Sequence, residues 1–276
     1  MMRNLAFMLL LACCMIATSC NGQDNGDKEV EVLIETSEGD IRVKLYNDTP
    51  GHRDNFIQNI KDGKYDGTLF HRVVRNFMIQ AGDPDHRPGE VKDTTKEVER
   101  IPGEIKFPEH FSRKGVLAMA RDNDDINPDR KSDKYQFYIV TGKSITDADL
   151  DSYEKLREEK LAEKIYQKKL ADPKIDAKIK AYREARERDK LGYYLQDLMT
   201  EAKMEASENP PLSYSKAIRR AYRIHGGAPW LDDDYTIFGE VIEGMKIVDI
   251  IQKVKTNQNE VPLREIRINK VSIVNE

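Results

Sequence analysis

The chain of 276 residues is long enough for one large domain or two smaller ones, with a sizeable core either way. Its formal net charge of −4 argues against nucleic acid as the main partner, because phosphate binding calls for a cationic excess. Hydrophobic residues make up 39%, which is low but enough to exclude disorder of the whole chain.

All three cysteines, Cys13, Cys14 and Cys20, lie in the first twenty residues. Arg3 precedes an apolar run over residues 5–17, too short to span a bilayer and suited to a secretory signal. Ala17-Thr18-Ser19-Cys20 is similar to a bacterial lipobox, with Ala17 where that motif usually has Leu. The expectation is a signal peptide at 1–19, a lipidated Cys20 and a polar tether at 20–29. The protein would then be exported and lipid-anchored in the bacterial envelope, at the periplasmic face or outer membrane, with no disulfide in the mature chain.

Val30, Val32 and Ile34, then Ile41, Val43 and Leu45, alternate with polar residues around a Ser37-Glu38-Gly39-Asp40 turn, which predicts a hairpin with one buried face. Thr49-Pro50 predicts a helix start and Gly63 its end. Short apolar runs follow at 69–74, 77–81, 116–120 and 137–140. Strand-like segments at 235–241 and 266–274 flank a predicted helix at 245–254. Many short strands and few helices predict a barrel or sandwich. Residues 151–209 depart from that texture, with 14 acidic and 14 basic residues among 59 and apolar positions at helical spacing. Pairs such as Glu154 with Arg157 suit a solvated helix. Residues 142–225 read as a charged helical insertion.

The five histidines show no metal-ligand spacing, and there is no phosphate loop or Gly-x-Ser-x-Gly elbow, so neither metal nor cofactor is expected. The informative stretch is residues 70–83, Phe-His-Arg-Val-Val-Arg-Asn-Phe-Met-Ile-Gln-Ala-Gly-Asp. Strand parity breaks between Arg72 and Phe77. Taken alone, Phe77 and Met78 read as core and Arg72 as a surface charge. A turn at Arg75-Asn76 would instead bring a cation, an amide and two apolar surfaces together.

This stretch resembles the signature of the cyclophilin-type peptidyl-prolyl isomerases. Residues 115–120, Gln136-Phe137-Tyr138-Ile139, and Trp230-Leu231-Asp232 with Phe238-Gly239-Glu240-Val241 resemble the family's further signatures, in the family's order. The resemblance covers 30–141 and 226–276. It implies a mainly β fold, a closed eight-stranded antiparallel barrel capped by two helices, with 142–225 as an inserted α-helical subdomain. It also implies a site. Arg72 would be the catalytic arginine and Gln80 its support, with Phe77, Met78, Tyr138 and Leu231 as walls of a proline pocket. Ala120 and Arg121 would meet the preceding residue through backbone groups. Gln136 would lie near an adjoining pocket, Trp230 at the groove's edge, and Tyr235 where many members have His. The Asp-rich loop at 121–135 would either favour basic residues upstream of proline or simply be solvated.

The implied function is isomerisation of X–Pro bonds in unfolded or extended polypeptides, assisting folding in the envelope without cofactor. The alternative is a proline-peptide-binding, chaperone or scaffold module whose insertion recruits a protein partner.

Overall fold

The computed structural model describes residues 28–89 and 97–275. The signal segment, Cys20 and most of the tether lie outside the described residues.

Alternation builds the first hairpin. Strand β1 (Glu31–Thr36) buries Val32, Ile34 and Thr36, and β2 (Gly39–Leu45) buries Ile41, Val43 and Leu45. Helix α1 (Pro50–Lys61) follows, with Pro50 in its first turn. Thr49 sits at the N-cap position, yet its side chain makes no cap hydrogen bond. The open N–H groups there are satisfied from a distance: the Glu104 carboxylate accepts from Gly51 N at 3.0 Å and His52 N at 2.8 Å. Burial alone would raise the Glu104 pKa, but these bonds and one to the His52 ring hold it below the usual range. The buried His52 ring bridges Glu104 (2.7 Å) and Ser132 (2.8 Å).

Next come β3 (Arg72–Val74), a turn in which Asn76 has φ of 60°, and β4 (Met78–Ala81). Strands β5 (Arg100–Ile101), β6 (Val116–Met119), β7 (Ser132–Asp133) and β8 (Phe137–Val140) complete the first part. After the inserted helices lie a 3-10 turn (Pro229–Leu231), β9 (Ile237–Glu243), a helix at Met245–Ile251 and β10 (Ile268–Asn275). Eight strands form one antiparallel sheet in the order β10-β1-β2-β9-β6-β8-β4-β3, and β5 pairs with β7 separately.

That order has two ends, so the expected closed barrel is corrected to an open half-barrel. β3 has only three residues, and the Val73 N–H is taken by the Glu260 carbonyl at 2.8 Å, so a loop covers this edge. Contact across the opening runs between the residues preceding β3 and the start of β10 with the segment before it: Gly67 N to Ile268 O, Ile268 N to Thr68 O and Phe70 N to Ile266 O, each 2.8 Å. The core fills the concave side, where Phe56 of α1 and Val248 and Ile251 of the 245–251 helix pack with Phe137 and Phe238.

The segment between β8 and the 3-10 turn holds α2 (Asp147–Leu170), α3 (Pro173–Glu184), α4 (Arg188–Glu208) and α5 (Lys216–His225), so the 245–251 helix is α6. Thr146 and Asp149 form a capping box at α2, and Asp172 caps α3 ahead of Pro173. α2 packs on α4, where Ala162, Leu198 and Ala202 are buried. Helix α5 was not among the sequence stripes. Its Ile218 and Tyr222 bury with Ile145, Leu150 and Tyr214 against Phe107 and Phe111 of the sheet domain. Charges also serve tertiary contacts here. Glu154 pairs with Arg219 at 2.8 Å, not with Arg157, whose guanidinium lies 4.3 Å from the Phe107 ring centroid.

Candidate active site

Strand register assembles the site on the outer face of the sheet. Arg72 lies opposite Gln80, Gln80 opposite Tyr138, and Tyr138 opposite Ala118. These positions form one cross-strand row, and alternation puts Met78 on the same face as Gln80. The Asn76 turn brings Phe77 round to this face, where it meets Trp230 at 5.4 Å between ring centroids. A cavity of 280 Å³ is lined by Arg72, Phe77, Met78, Gln80, Ala120, Arg121, Tyr138, Leu231 and Tyr235. Nine of the predicted residues therefore converge on one cavity. Gln136 and Trp230 border two others, of 250 Å³ and 710 Å³ respectively.

Several expected contacts differ. Gln80 donates its amide to Gln136 Oε1 at 2.9 Å, while Arg72 Nε donates to Glu260 Oε2 at 2.7 Å, so Glu260 takes the supporting place assigned to Gln80. Glu260 was invisible to sequence reasoning, being 188 residues away on a loop of no distinctive pattern. It holds φ of 62°, and its carbonyl is bonded to Val73 N, so both ends of the residue grip β3. The Ala120 backbone groups, expected with those of Arg121 to meet the residue before proline, bond within the fold: the N–H donates to Gln136 O and the carbonyl accepts from Asp133 N, both at 2.8 Å. The Arg121 guanidinium ties its loop to the segment after Leu231, bonding Asp234 O at 2.6 Å as well as Asp124 Oδ1 of the loop at 2.7 Å. It also covers the Tyr235 ring at 4.9 Å. The loop aspartates are largely spent internally: Asp122 pairs with Arg100 at 2.6 Å, and Asp124 also pairs with Arg130 at 3.0 Å. The 121–135 loop is thus a cross-braced structure and not a free acidic surface.

Tyr138 is 5% exposed, and its hydroxyl has no hydrogen-bond partner among the described residues. Burial pushes its pKa well above the ordinary tyrosine value. An unpaired buried hydroxyl carries a desolvation cost of about 1–3 kcal/mol. Tyr138→Phe is therefore expected to stabilise the fold by about 1 kcal/mol in urea unfolding; a loss of stability would mean that the hydroxyl is satisfied.

Asp232 follows Leu231 and ties the pocket wall to the insertion. It accepts from Ser112 N at 2.7 Å and from the Tyr222 hydroxyl of α5 at 2.6 Å. Burial pushes its pKa up to about 6, against the lowering effect of these bonds. Because the folded state holds this proton more tightly, the stabilising contribution is complete below about pH 4 and lost as pH rises through about 6. The wild type is expected to lose on the order of 2–3 kcal/mol relative to Asp232→Asn across that window. Unfolding curves at several pH values check this, and parallel profiles for the two proteins would refute it.

Comparison with known proteins places the fold. The profile of the family described as "Cyclophilin type peptidyl-prolyl cis-trans isomerase/CLD" matches residues 31–158 and 222–273. A relative from Staphylococcus saprophyticus, whose name carries the designation peptidyl-prolyl cis-trans isomerase, is 27% identical over 260 residues, covering 92% of this chain and 96% of its own. One of the same designation from Staphylococcus haemolyticus is 26% identical over 252 residues, covering 90% and 92%. A Cryptosporidium parvum cyclophilin-type isomerase crystal structure shares the fold at TM-score 0.52 and 19% identity, over 90% of this chain and 99% of that one. A second structure of that protein, solved in the presence of the dipeptide Ala-Pro, aligns at TM-score 0.51 and 18% identity, over 89% and 99%. Matched by the family profile over well over half its length, the chain belongs to the cyclophilin-type peptidyl-prolyl cis-trans isomerases.

Proposed function

We propose that the 280 Å³ cavity receives the proline ring of an X–Pro segment and that Arg72 is the group favouring the twisted amide. The supporting observation is the convergence of the Arg72 guanidinium with Phe77, Met78, Tyr138 and Leu231 around one cavity, large enough to admit a proline ring. That the related Cryptosporidium protein was crystallised in the presence of Ala-Pro accords with a proline-bearing substrate.

Rotation about a peptide bond costs about 18–20 kcal/mol because amide resonance is lost at the perpendicular state. For X–Pro the cis and trans forms differ by only about 0.5–1 kcal/mol, so both occur and interconvert slowly. The reaction makes and breaks no covalent bond and requires no nucleophile or acid–base pair. It requires a slot that grips the ring and a donor whose bond strengthens as the amide twists. In that state the proline nitrogen regains its lone pair and becomes an acceptor. Arg72 suits this role because its guanidinium is always charged and rigidly forked. Its Nε is committed to Glu260, so donation to the substrate falls to the two Nη groups. Only the difference in bonding between twisted and planar states accelerates the reaction. The reading is tested by isomerisation of a blocked X–Pro tetrapeptide: catalysis is expected with wild-type protein, and none at micromolar enzyme would overturn it.

Export and anchoring through Cys20 belong to the same proposal, supported by the apolar run at 5–17 and the Ala17-Thr18-Ser19-Cys20 sequence. Cys20→Ser is expected to abolish acyl-chain incorporation and move the protein from the membrane to the soluble fraction. Unchanged fractionation would exclude the anchor.

A further inference from the structure

A second cavity of 710 Å³ opens beside the Arg72 pocket, and Arg121, Leu231 and Tyr235 line both. Its floor includes Trp230, and its far wall is helix α2, which presents Glu163, Lys164 and Gln167. That wall is held in place. The Tyr153 ring of α2 meets Trp230 at 5.8 Å, Arg157 Nη1 donates to Leu212 O at 3.0 Å, and Lys160 Nζ reaches Asp234 Oδ2 at 3.3 Å. Several of the rim charges pair with one another: Asp124 with Arg121 and Arg130, and Asp234 with Arg130 and Lys160. Between these paired charges the floor is apolar, formed by Trp230, Leu231 and Tyr235.

We propose that this groove binds the stretch of client polypeptide flanking the target proline and receives an aliphatic or aromatic side chain from it, with α2 as the wall that sets this preference. The inference rests on the proline-site reading above. The occupant follows from continuity, because two cavities sharing three lining residues are filled most directly by one extended chain threading both. Trp230 touches Phe77 of the proline pocket on one side and Tyr153 of α2 on the other, so the floor runs from one site to the other.

The test compares kcat/KM of the mature protein for a blocked tetrapeptide and for longer X–Pro peptides. The longer peptides carry Phe or Gly at one position, on the N-terminal or the C-terminal side of the proline. In the wild type the Phe-to-Gly ratio is expected to reach about fivefold on one side, expressed mainly in KM, for partial burial of one aromatic ring. In Gln167→Trp, which fills the groove, and in Lys164→Glu, which changes its wall, the ratio is expected to fall toward one. Both positions are exposed on α2, and equal melting temperatures check the fold. A ratio near one in the wild type on both sides would overturn the proposal, as would an unchanged ratio in both variants. Equal binding of a proline-free Phe peptide would overturn it too, by assigning the groove to another partner. Absence of tetrapeptide turnover by the wild type would remove the underlying site and this groove with it, an outcome distinct from turnover without a Phe preference.

Discussion

Arg72→Ala is expected to lower kcat/KM for X–Pro isomerisation at least about tenfold, equivalent to about 1.4 kcal/mol of transition-state stabilisation. The loss should fall on kcat, since the apolar walls that grip the ring remain while the donor to the twisted nitrogen is gone. Stability should change little. The Arg72 and Glu260 side chains are each 41% exposed, and ion pairs of that kind are worth about 0–1 kcal/mol. Arg72→Lys should stay close to the alanine variant, because an ammonium cannot hold Glu260 through one nitrogen and offer a planar fork through two others. Glu260→Ala should cost less, about threefold, with Glu260→Gln between it and wild type because an acceptor is kept. Near-wild-type turnover by folded Arg72→Ala would remove this residue from the mechanism and leave the pocket acting by confinement alone.

The second large effect is structural and arises where the insertion leaves and rejoins the sheet domain. Gly142 follows β8 and lies against Gly227 backbone to backbone, so a Cβ at position 142 would fall inside the Gly227 carbonyl group. Gly226, at φ of 80°, would clash in turn with Gly142 and Lys143. The neck is closed by Gly227 N to Lys143 O at 3.1 Å, Lys114 N to Gly226 O at 2.9 Å and Ala228 N to Ser112 O at 2.8 Å. The atoms met are backbone, which cannot move aside as a side-chain tip does. Gly142→Ala is therefore expected to destabilise the protein by about 3 kcal/mol or more, as forced overpacking does at its upper range. Turnover should fall as well, because Trp230 and Leu231 follow the neck by only a few residues and would shift with it. Urea unfolding and the tetrapeptide assay measure both. A variant of wild-type stability would mean that the two strands of the neck separate freely.

The site and the scaffold were legible to different degrees. The β1–β2 hairpin was readable because alternation over six or seven residues is a local signal. The turn between β3 and β4 was readable because Arg72 and Phe77 break strand parity within six residues. Such a turn was one of two readings, the other being Phe77 and Met78 as core and Arg72 as a surface charge, and the family resemblance decided between them. Residues from three later segments joined them through the family resemblance, since nothing local ties Tyr138 or Leu231 to Arg72. The Glu104 cap on α1, the Glu260 clamp on Arg72 and the pairing of Glu154 with Arg219 were not readable. Each depends on where a distant loop or helix lands after folding, and any of the chain's many carboxylates would have looked equally eligible. The open sheet edge was hidden for the same reason: whether β3 meets β10 depends on the loop that takes the Val73 N–H.

The amino-acid sequence determined the strand-rich class, the charged helical segment and the order of the signature motifs and, through the family resemblance, the residues around the 280 Å³ cavity. The first two follow from side-chain periodicity and turn chemistry, which act over a few residues; the motifs and the site residues were read through the family resemblance. Only the tertiary structure decided that Arg72 is held by Glu260 and that Asp122 and Asp124 of the 121–135 loop are paired with arginines. It alone decided that the half-barrel stays open and that α2 stands beside the Arg72 pocket. Hydrogen bonds, ion pairs and close packing act over a few ångströms, and folding alone brings residues 72 and 260, or 153 and 230, within that range.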